Sequence, residues 1–257
     1  MALSDQELDR YARHIVLPQV GGAGQLRLKD AKIAIVGAGG IGAGAIPALT
    51  GAGVGNLTII DDDRVELSNL QRQPLYAENQ VGERKADLAA RYIGKRNPHI
   101  ECRTIADRVE GDNVDAILSD HDLIIDGTDN FATRLLVSDA AVRLDIPLIS
   151  AAAQQFQAQV AIFRGKPCYR SFVGDAFDAD DCDTCAELGV LGALTGTIGN
   201  FAALLAIRAI VGIAPDVSGT LHLLDGLTLN WRQVRIVADP ACHACGSTSS
   251  SGQAPSA

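Results

Sequence analysis

A short β-rich run, Lys32 to Val36 (KIAIV), leads straight into Gly37-Ala38-Gly39-Gly40-Ile41-Gly42, and a helical pattern follows to about Thr50. This strand–turn–helix junction constrains the fold more than any other feature. The spacing G-x-G-x-x-G lets the backbone approach phosphates closely, and the helix N-terminus behind it offers unpaired N–H donors. A second strand, NLTIID (56–61), ends at Asp61, nineteen residues past Gly42. A carboxylate there can accept hydrogen bonds from ribose hydroxyls. The junction predicts an adenine-nucleotide cleft built on Gly37, Gly39, Gly40, Gly42 and Asp61. On these two features alone an NAD(P)-linked oxidoreductase is the leading reading.

Strand and helix patterns alternate around this junction. Helical spacing covers 5–17, with Ser4 and Glu7 placed as a capping box, and a Gly-rich turn at Gly21–Gly24 follows. Further strands are expected at 100–105, 122–126 and 147–150, with helices at 83–96, near 112–119 and at 130–144. The alternation predicts an α/β fold with a doubly wound, Rossmann-like, mainly parallel sheet. After residue 150 the pattern changes to a strand at 157–163, an Asp-rich loop at 172–187, a helix at 188–212 and antiparallel strands at 220–225 and 231–237. The parallel sheet is therefore extended by antiparallel strands and ends in a Cys-rich knuckle. Residues 1–246 read as a single domain. The Ser/Gly/Pro-rich stretch 247–257 reads as a disordered tail.

The net charge of −9, with no basic run, argues against nucleic acid as a partner. The uncharged window Leu188–Ile207 is long enough for a membrane span, but four Gly, two Thr and one Asn make it a small-residue core helix. The polar, acidic first residues do not read as a secretory signal, so a cytoplasmic chain away from the membrane, with reduced thiols, is expected.

The segment after Asp61 separates hydride chemistry from phosphate chemistry. Asp61-Asp62-Asp63 is followed by Ser68-Asn69-Leu70-Gln71-Arg72-Gln73, and Lys85 opens the next helix. A nicotinamide site has no need of several cations beside the pyrophosphate. A site that expels pyrophosphate does, because charge builds on the leaving group and fixed Arg, Lys and Mg²⁺ lower the barrier. Arg72 and Lys85 are the candidate clamps, against the plainer reading of a solvated loop. Asp129 follows a strand and opens a helix, at the strand end where open α/β sheets bind ligands. Asp129 or Asn130 can also be a simple N-cap.

These residues resemble a known family. SNLQRQ after a D-x-D, the GxGGxG turn, RYARHIVLP near the N-terminus and the later GTDN resemble the MoeB/ThiF/HesA adenylyltransferases, relatives of the ubiquitin-activating enzymes, from about residue 5 to residue 246. The resemblance implies that Gly40 and Asp61 contact ATP, that Asp63, Asn69, Arg72 and Lys85 line the triphosphate, and that Asp129, beside Asn130, holds Mg²⁺. It implies that Arg13 reaches the ATP of the other subunit of a homodimer. The implied reaction is adenylylation of the C-terminal glycine of a ubiquitin-like sulfur-carrier protein. A MoaD-like carrier in molybdopterin synthesis is preferred over a ThiS-type carrier in thiamine synthesis, and a separate protein donates the sulfur. A nucleotide-binding protein without catalysis is a further alternative.

Six cysteines complete the picture. Cys242 and Cys245 form a C-x-x-C knuckle, a spacing that can share one Zn²⁺. The resemblance pairs it with an earlier C-x-x-C, but here that place reads Cys168-Tyr169-Arg170-Ser171. A structural zinc on Cys168, Cys242 and Cys245 then needs another donor: Cys182, His243 or water. An empty cluster of reduced thiols is the other possibility. Cys185 matches the family's T-C position, where a thiolate can join covalently to the activated carrier. Five nearby Asp residues raise the cost of a thiolate there, which leaves a loop cysteine without chemistry equally open. Cys102 reads as an inert edge or core residue.

Overall fold

The computed structural model describes residues 2–174 and 188–246. Eight strands form one sheet in the order β3-β2-β1-β4-β5-β6-β7-β8. Its first part contains β1 (Lys32–Val36), β2 (Asn56–Ile60), β3 (Glu101–Ile105), β4 (Leu123–Asp126) and β5 (Leu148–Gln154), all paired in parallel. The order 3-2-1-4-5 reverses between β1 and β4, which opens a crevice at the C-terminal ends of those two strands. β6 (Gln157–Phe163), β7 (Thr220–Asp225) and β8 (Asn230–Arg235) continue the sheet antiparallel. The doubly wound, mainly parallel sheet with an antiparallel extension is the architecture the sequence predicts.

Successive strand residues point to opposite faces, so the strands feed two cores. Ile33 and Ile35 of β1 join one cluster with Leu57, Ile59 and Ile125, under α4 (Gly40–Ala52), α5 (Lys85–Arg96) and the long helix that ends the α series. Ala34 and Val36 join the other with Ile60 and Ile124, under α6 (Val114–Leu118), α7 (Phe131–Arg143) and α8 (Tyr169–Val173). The long helix, α9 (Gly192–Val211), has a length and composition that could cross a membrane, yet half of its apolar window is buried inside the protein. It crosses α4 glycine to glycine. A Cβ on Gly44 would lie 2.8 Å from the Gly196 carbonyl oxygen, and one on Gly199 would overlap that of Ile41.

Two local expectations are corrected. The helix over 5–17 is two pieces, α1 (Asp5–Arg10) and α2 (Ala12–Ile15), broken at Tyr11. Tyr11 turns inward, its hydroxyl accepting from Asn97 Nδ2 at 2.8 Å, and its ring lies where a Gly53 side chain would stand. The capping box of Ser4 and Glu7 is present. Gly21–Gly24 is not a free turn but the start of α3 (Gly21–Asp30); Gly24 is small because Val211 packs on it. The Asp-rich loop's residues 175–187, with Cys182 and Cys185, and the tail 247–257 lie outside the described residues.

Candidate functional site

The crevice is a cleft of about 660 Å³. It gathers Gly37, Gly39, Gly40, Asp61, Asp63, Asn69, Arg72, Lys85, Asp129 and Asn130 from separate stretches of chain. The glycines set its floor. Gly37 has φ +90°, the left-handed region that favours glycine, and a Cβ on it would press within 3.2 Å of Gly127 and Thr128. The turns after β1 and β4 can therefore touch at the point where the strand order reverses. Gly39 is the N-cap of α4 and provides no side-chain cap, so the amides of the helix's first turn are available to an anion. Gly42 does not line the cleft. It lies beneath the turn, where a Cβ would overlap the Gly37 carbonyl oxygen.

Asp61 organises this turn before it meets any ligand. Its carboxylate accepts from Ala38 N at 2.7 Å and from Asp63 N at 2.9 Å. Burial pushes its pKa up to about 6, opposed by the Lys85 charge and by those two amides. Lys85, only 4% exposed, places Nζ 2.8 Å from Asp63 Oδ2. Asp63 itself is exposed, so the pair stands at the cleft wall with the ammonium held on the protein side. Tyr76 closes the packing behind it, donating from its hydroxyl to Ala38 O at 2.8 Å.

Arg72 follows the 3₁₀ turn Leu67–Asn69 and donates to Ser68 O at 3.2 Å. Asn69 is buried, its Oδ1 accepting the Glu66 amide at 3.4 Å. The loop is fixed from above by α9: a Cβ on Gly192 would overlap the Gln71 carbonyl oxygen, and the Thr195 hydroxyl donates to Arg72 O at 3.4 Å. Asn130 is the N-cap of α7, its Oδ1 accepting the Thr133 amide at 2.9 Å. That assigns the capping role to Asn130 and leaves the Asp129 carboxylate exposed at the cleft.

Three polar residues escaped the sequence reading. Asp126 ends β4 with no exposure at all, and its Oδ1 accepts from Thr128 N at 3.0 Å and Thr128 Oγ1 at 2.7 Å. Its Oδ2 has no partner, and burial raises its pKa against the pull of Arg134. Arg134 donates to the carbonyls of Thr128 and, at 3.0 Å, Ala151, tying β4's exit to β5. Gln73 is buried in the cleft wall with Oε1 unpartnered. An acid ending the apolar run DLIID was the one available signal for Asp126. Nothing local marks Gln73, which packs beside Gly39, or Arg134, which reaches β5.

Arg13 does not line the cleft. Tyr11, two residues before it, packs on Gly53 and Asn97, which precede β2 and β3. Arg13 therefore belongs with the starting ends of β2 and β3, whereas the crevice lies at the finishing ends of β1 and β4.

The cysteines form a separate centre. The Sγ atoms of Cys168, Cys242 and Cys245 lie within 4.8 Å of one another. Cys168 caps α8, whose next residue, Tyr169, lines the cleft and packs edge-on to Phe163. Burial pushes Cys168 up to about 12. Cys242, although burial works against it, is held down at about 7 by the amides of Cys245 and Ala244 and by Ser171. Three convergent thiols, one of them easily ionised, suit a thiophilic cation. Cys102 lies on the edge strand β3, its thiol raised to about 11 by burial, as expected of an inert residue.

Comparison with known proteins identifies the family. The ThiF family matches residues 11–245. A sulfur carrier protein adenylyltransferase of Thermus thermophilus is 40% identical, over 96% of this chain and 93% of that protein. A molybdopterin-synthase adenylyltransferase of Escherichia coli is 38% identical over 95% of this chain and 98% of its own length. The crystal structure of Escherichia coli MccB with ATP superposes with a TM-score of 0.79 over 95% of this chain and 76% of that one, at 22% identity, a likeness of fold. With its glycine turn, its cation-lined cleft and these relatives, the chain belongs to the ThiF family.

Proposed function

We propose that this chain adenylylates the C-terminal glycine of a ubiquitin-like sulfur-carrier protein of the MoaD-like type, for sulfur transfer in molybdopterin synthesis. The observation that carries the reading is the convergence of buried Lys85, Arg72 and exposed Asp129 on one glycine-floored cleft. An NAD(P) enzyme would leave these three without a task.

The carrier's terminal carboxylate attacks the α-phosphorus of ATP; a P–O bond to that carboxylate forms as the bond to the bridging oxygen breaks, and pyrophosphate leaves. No general base is required, because a carboxylate is already ionised at neutral pH. The protein's work is placement and charge. The amides of α4 receive phosphate, Asp61 holds the glycine turn and faces the ribose, and Asn69, Arg72 and Lys85 neutralise charge on the departing pyrophosphate. The exposed Asp129 carboxylate, beside Asn130, would hold Mg²⁺, which would supply further charge neutralisation. Asp63 orients Lys85 through their ion pair. The acyl-adenylate then receives sulfur from a separate donor protein, and Cys185 is the candidate thiol for a covalent step.

Further parts of the reading follow. Arg13, at the opposite strand ends from the cleft, acts on the partner's cleft in a homodimer. Cys168, Cys242 and Cys245 hold a structural zinc. Free thiols at close range suit the reducing cytoplasm.

Incubating the chain with ATP, Mg²⁺ and either carrier type, followed by mass spectrometry of the carrier, tests this. A MoaD-like carrier should gain one AMP. Gain on a ThiS-type carrier alone would move the reading to thiamine synthesis, and gain on neither would refute it.

A further inference from the structure

The cysteine centre has a fourth corner, and a residue of this chain already occupies it. Cys168 is the N-cap of α8 and Ser171 lies three residues on, one turn along, so both face the same way. Cys242 and Cys245 have the same spacing on the opposing arm. That arm is tightly folded: Gly246 N donates to Cys242 O at 2.6 Å, and a Cβ on Gly246 would overlap that oxygen. The two arms meet with Cys168 Sγ and Cys242 Sγ 3.7 Å apart and Ser171 Oγ 3.0 Å from Cys245 Sγ. Ser171 Oγ also lies 3.8 Å from Cys168 Sγ.

These are three of the six edges of a tetrahedron. Metal–sulfur bonds of about 2.3 Å at tetrahedral angles put sulfur atoms about 3.8 Å apart, and a metal–oxygen bond of about 2 Å makes the mixed edge about 3.5 Å. The Cys168–Cys242 edge matches, the other two sulfur–sulfur edges lie within 4.8 Å, and the two oxygen edges lie on either side of the ideal. We propose that Ser171 supplies the fourth donor of a three-thiolate, one-hydroxyl site for a zinc-like divalent cation. This rests on reading the three cysteines as metal ligands. Cys182, from the Asp-rich loop, is then not required.

The substitution sets how tightly the cation is held. A neutral hydroxyl is a harder, weaker donor to a thiophilic cation than a thiolate. Cys168 and Cys242 are buried, whereas Ser171 and Cys245 are half-buried, so the weak donor stands on the solvent side. The cation is therefore exchangeable, and it leaves by the Ser171 corner. Two chain segments far apart in sequence are clasped by a metal that a mild chelator can withdraw.

The test uses the full chain, stripped of metal and titrated with Co²⁺, whose sulfur charge-transfer absorption counts thiolates. Wild type should show a tetrahedral three-thiolate spectrum. Ser171→Cys should raise the charge-transfer band by about a third, as one thiolate joins three, and tighten Zn²⁺ against a chromophoric chelator by more than the roughly tenfold that outer-shell partners control. Ser171→Ala should loosen it, and Cys182→Ala should change neither readout. If Cys182→Ala removes a thiolate from the spectrum while Ser171→Ala does not, Cys182 is the fourth ligand and the assignment falls. If Cys242→Ala, checked for folding by thermal melting, binds Co²⁺ like wild type, or if wild type shows no tetrahedral spectrum, the metal reading itself is what fails.

Discussion

At the scale of single residues, the cleft works by holding charges against their preference for water. Asp61 is the clearest case. Its pKa stands near 6 in the fold, mainly from burial, against about 3.9 for an unfolded Asp. Between those values the folded chain holds a proton that the unfolded chain has lost, so the contribution of Asp61 to stability falls as pH rises through that window and is constant above it. Asp61→Asn keeps an acceptor for one of the two amides and cannot ionise. Denaturant titrations from about pH 4 to about pH 7 should show the stability difference moving toward the variant by up to roughly 3 kcal/mol, from about 1.36 kcal/mol per pKa unit. A difference that does not change with pH would contradict this. Asp61 was legible in the sequence because a strand end after a glycine turn is a local pattern. Asp126 and Gln73 were not, since what distinguishes them is burial created by distant segments.

At the scale of elements, the sequence shows strands better than it shows where helices bend or touch. The run KIAIV predicts β1 to the residue, because a short apolar stretch between polar ends has one use in a doubly wound sheet. The break at Tyr11 depends on Gly53 and Asn97, some forty and eighty-six residues away, and no local pattern contains it. Gly21–Gly24 looks like a turn by propensity, yet Gly24 is in a helix because Val211 packs there. The crossing of α4 and α9 turns this into a prediction with two signs. A Cβ on Gly199 would overlap the Ile41 carbonyl oxygen and approach Gly44 Cα within 3.0 Å, while a Cβ on Gly196 meets nothing within 4 Å. Gly199→Ala should lose about 1–3 kcal/mol to overpacking, and Gly196→Ala should gain about 0.4–1 kcal/mol through reduced freedom of the unfolded chain. Thermal melting of the two variants checks this. Equal shifts would mean that the helices do not meet through these glycines.

At the scale of the whole molecule, the sheet separates two ends with different tasks. The cleft lies where β1 and β4 end, and α2, with Arg13, lies where β2 and β3 begin. That separation supports action of Arg13 on a partner chain, which mixed dimers can test. Arg13→Ala and Lys85→Ala chains, each inactive, should recover about a quarter of wild-type activity when co-expressed, since half of the dimers are mixed and each mixed dimer holds one complete site. No recovery would place Arg13 in its own cleft, and an active Arg13→Ala chain would place it outside the reaction. The central claim is that this cleft breaks ATP into a carrier-bound adenylate and pyrophosphate. Carrier-dependent exchange of labelled pyrophosphate into ATP measures that step directly. Exchange should require a carrier with a free C-terminal carboxylate, and should fall by about 10²–10³ in Arg72→Ala and Lys85→Ala chains that remain folded. Exchange without the carrier, or at the wild-type rate in both variants, would contradict it.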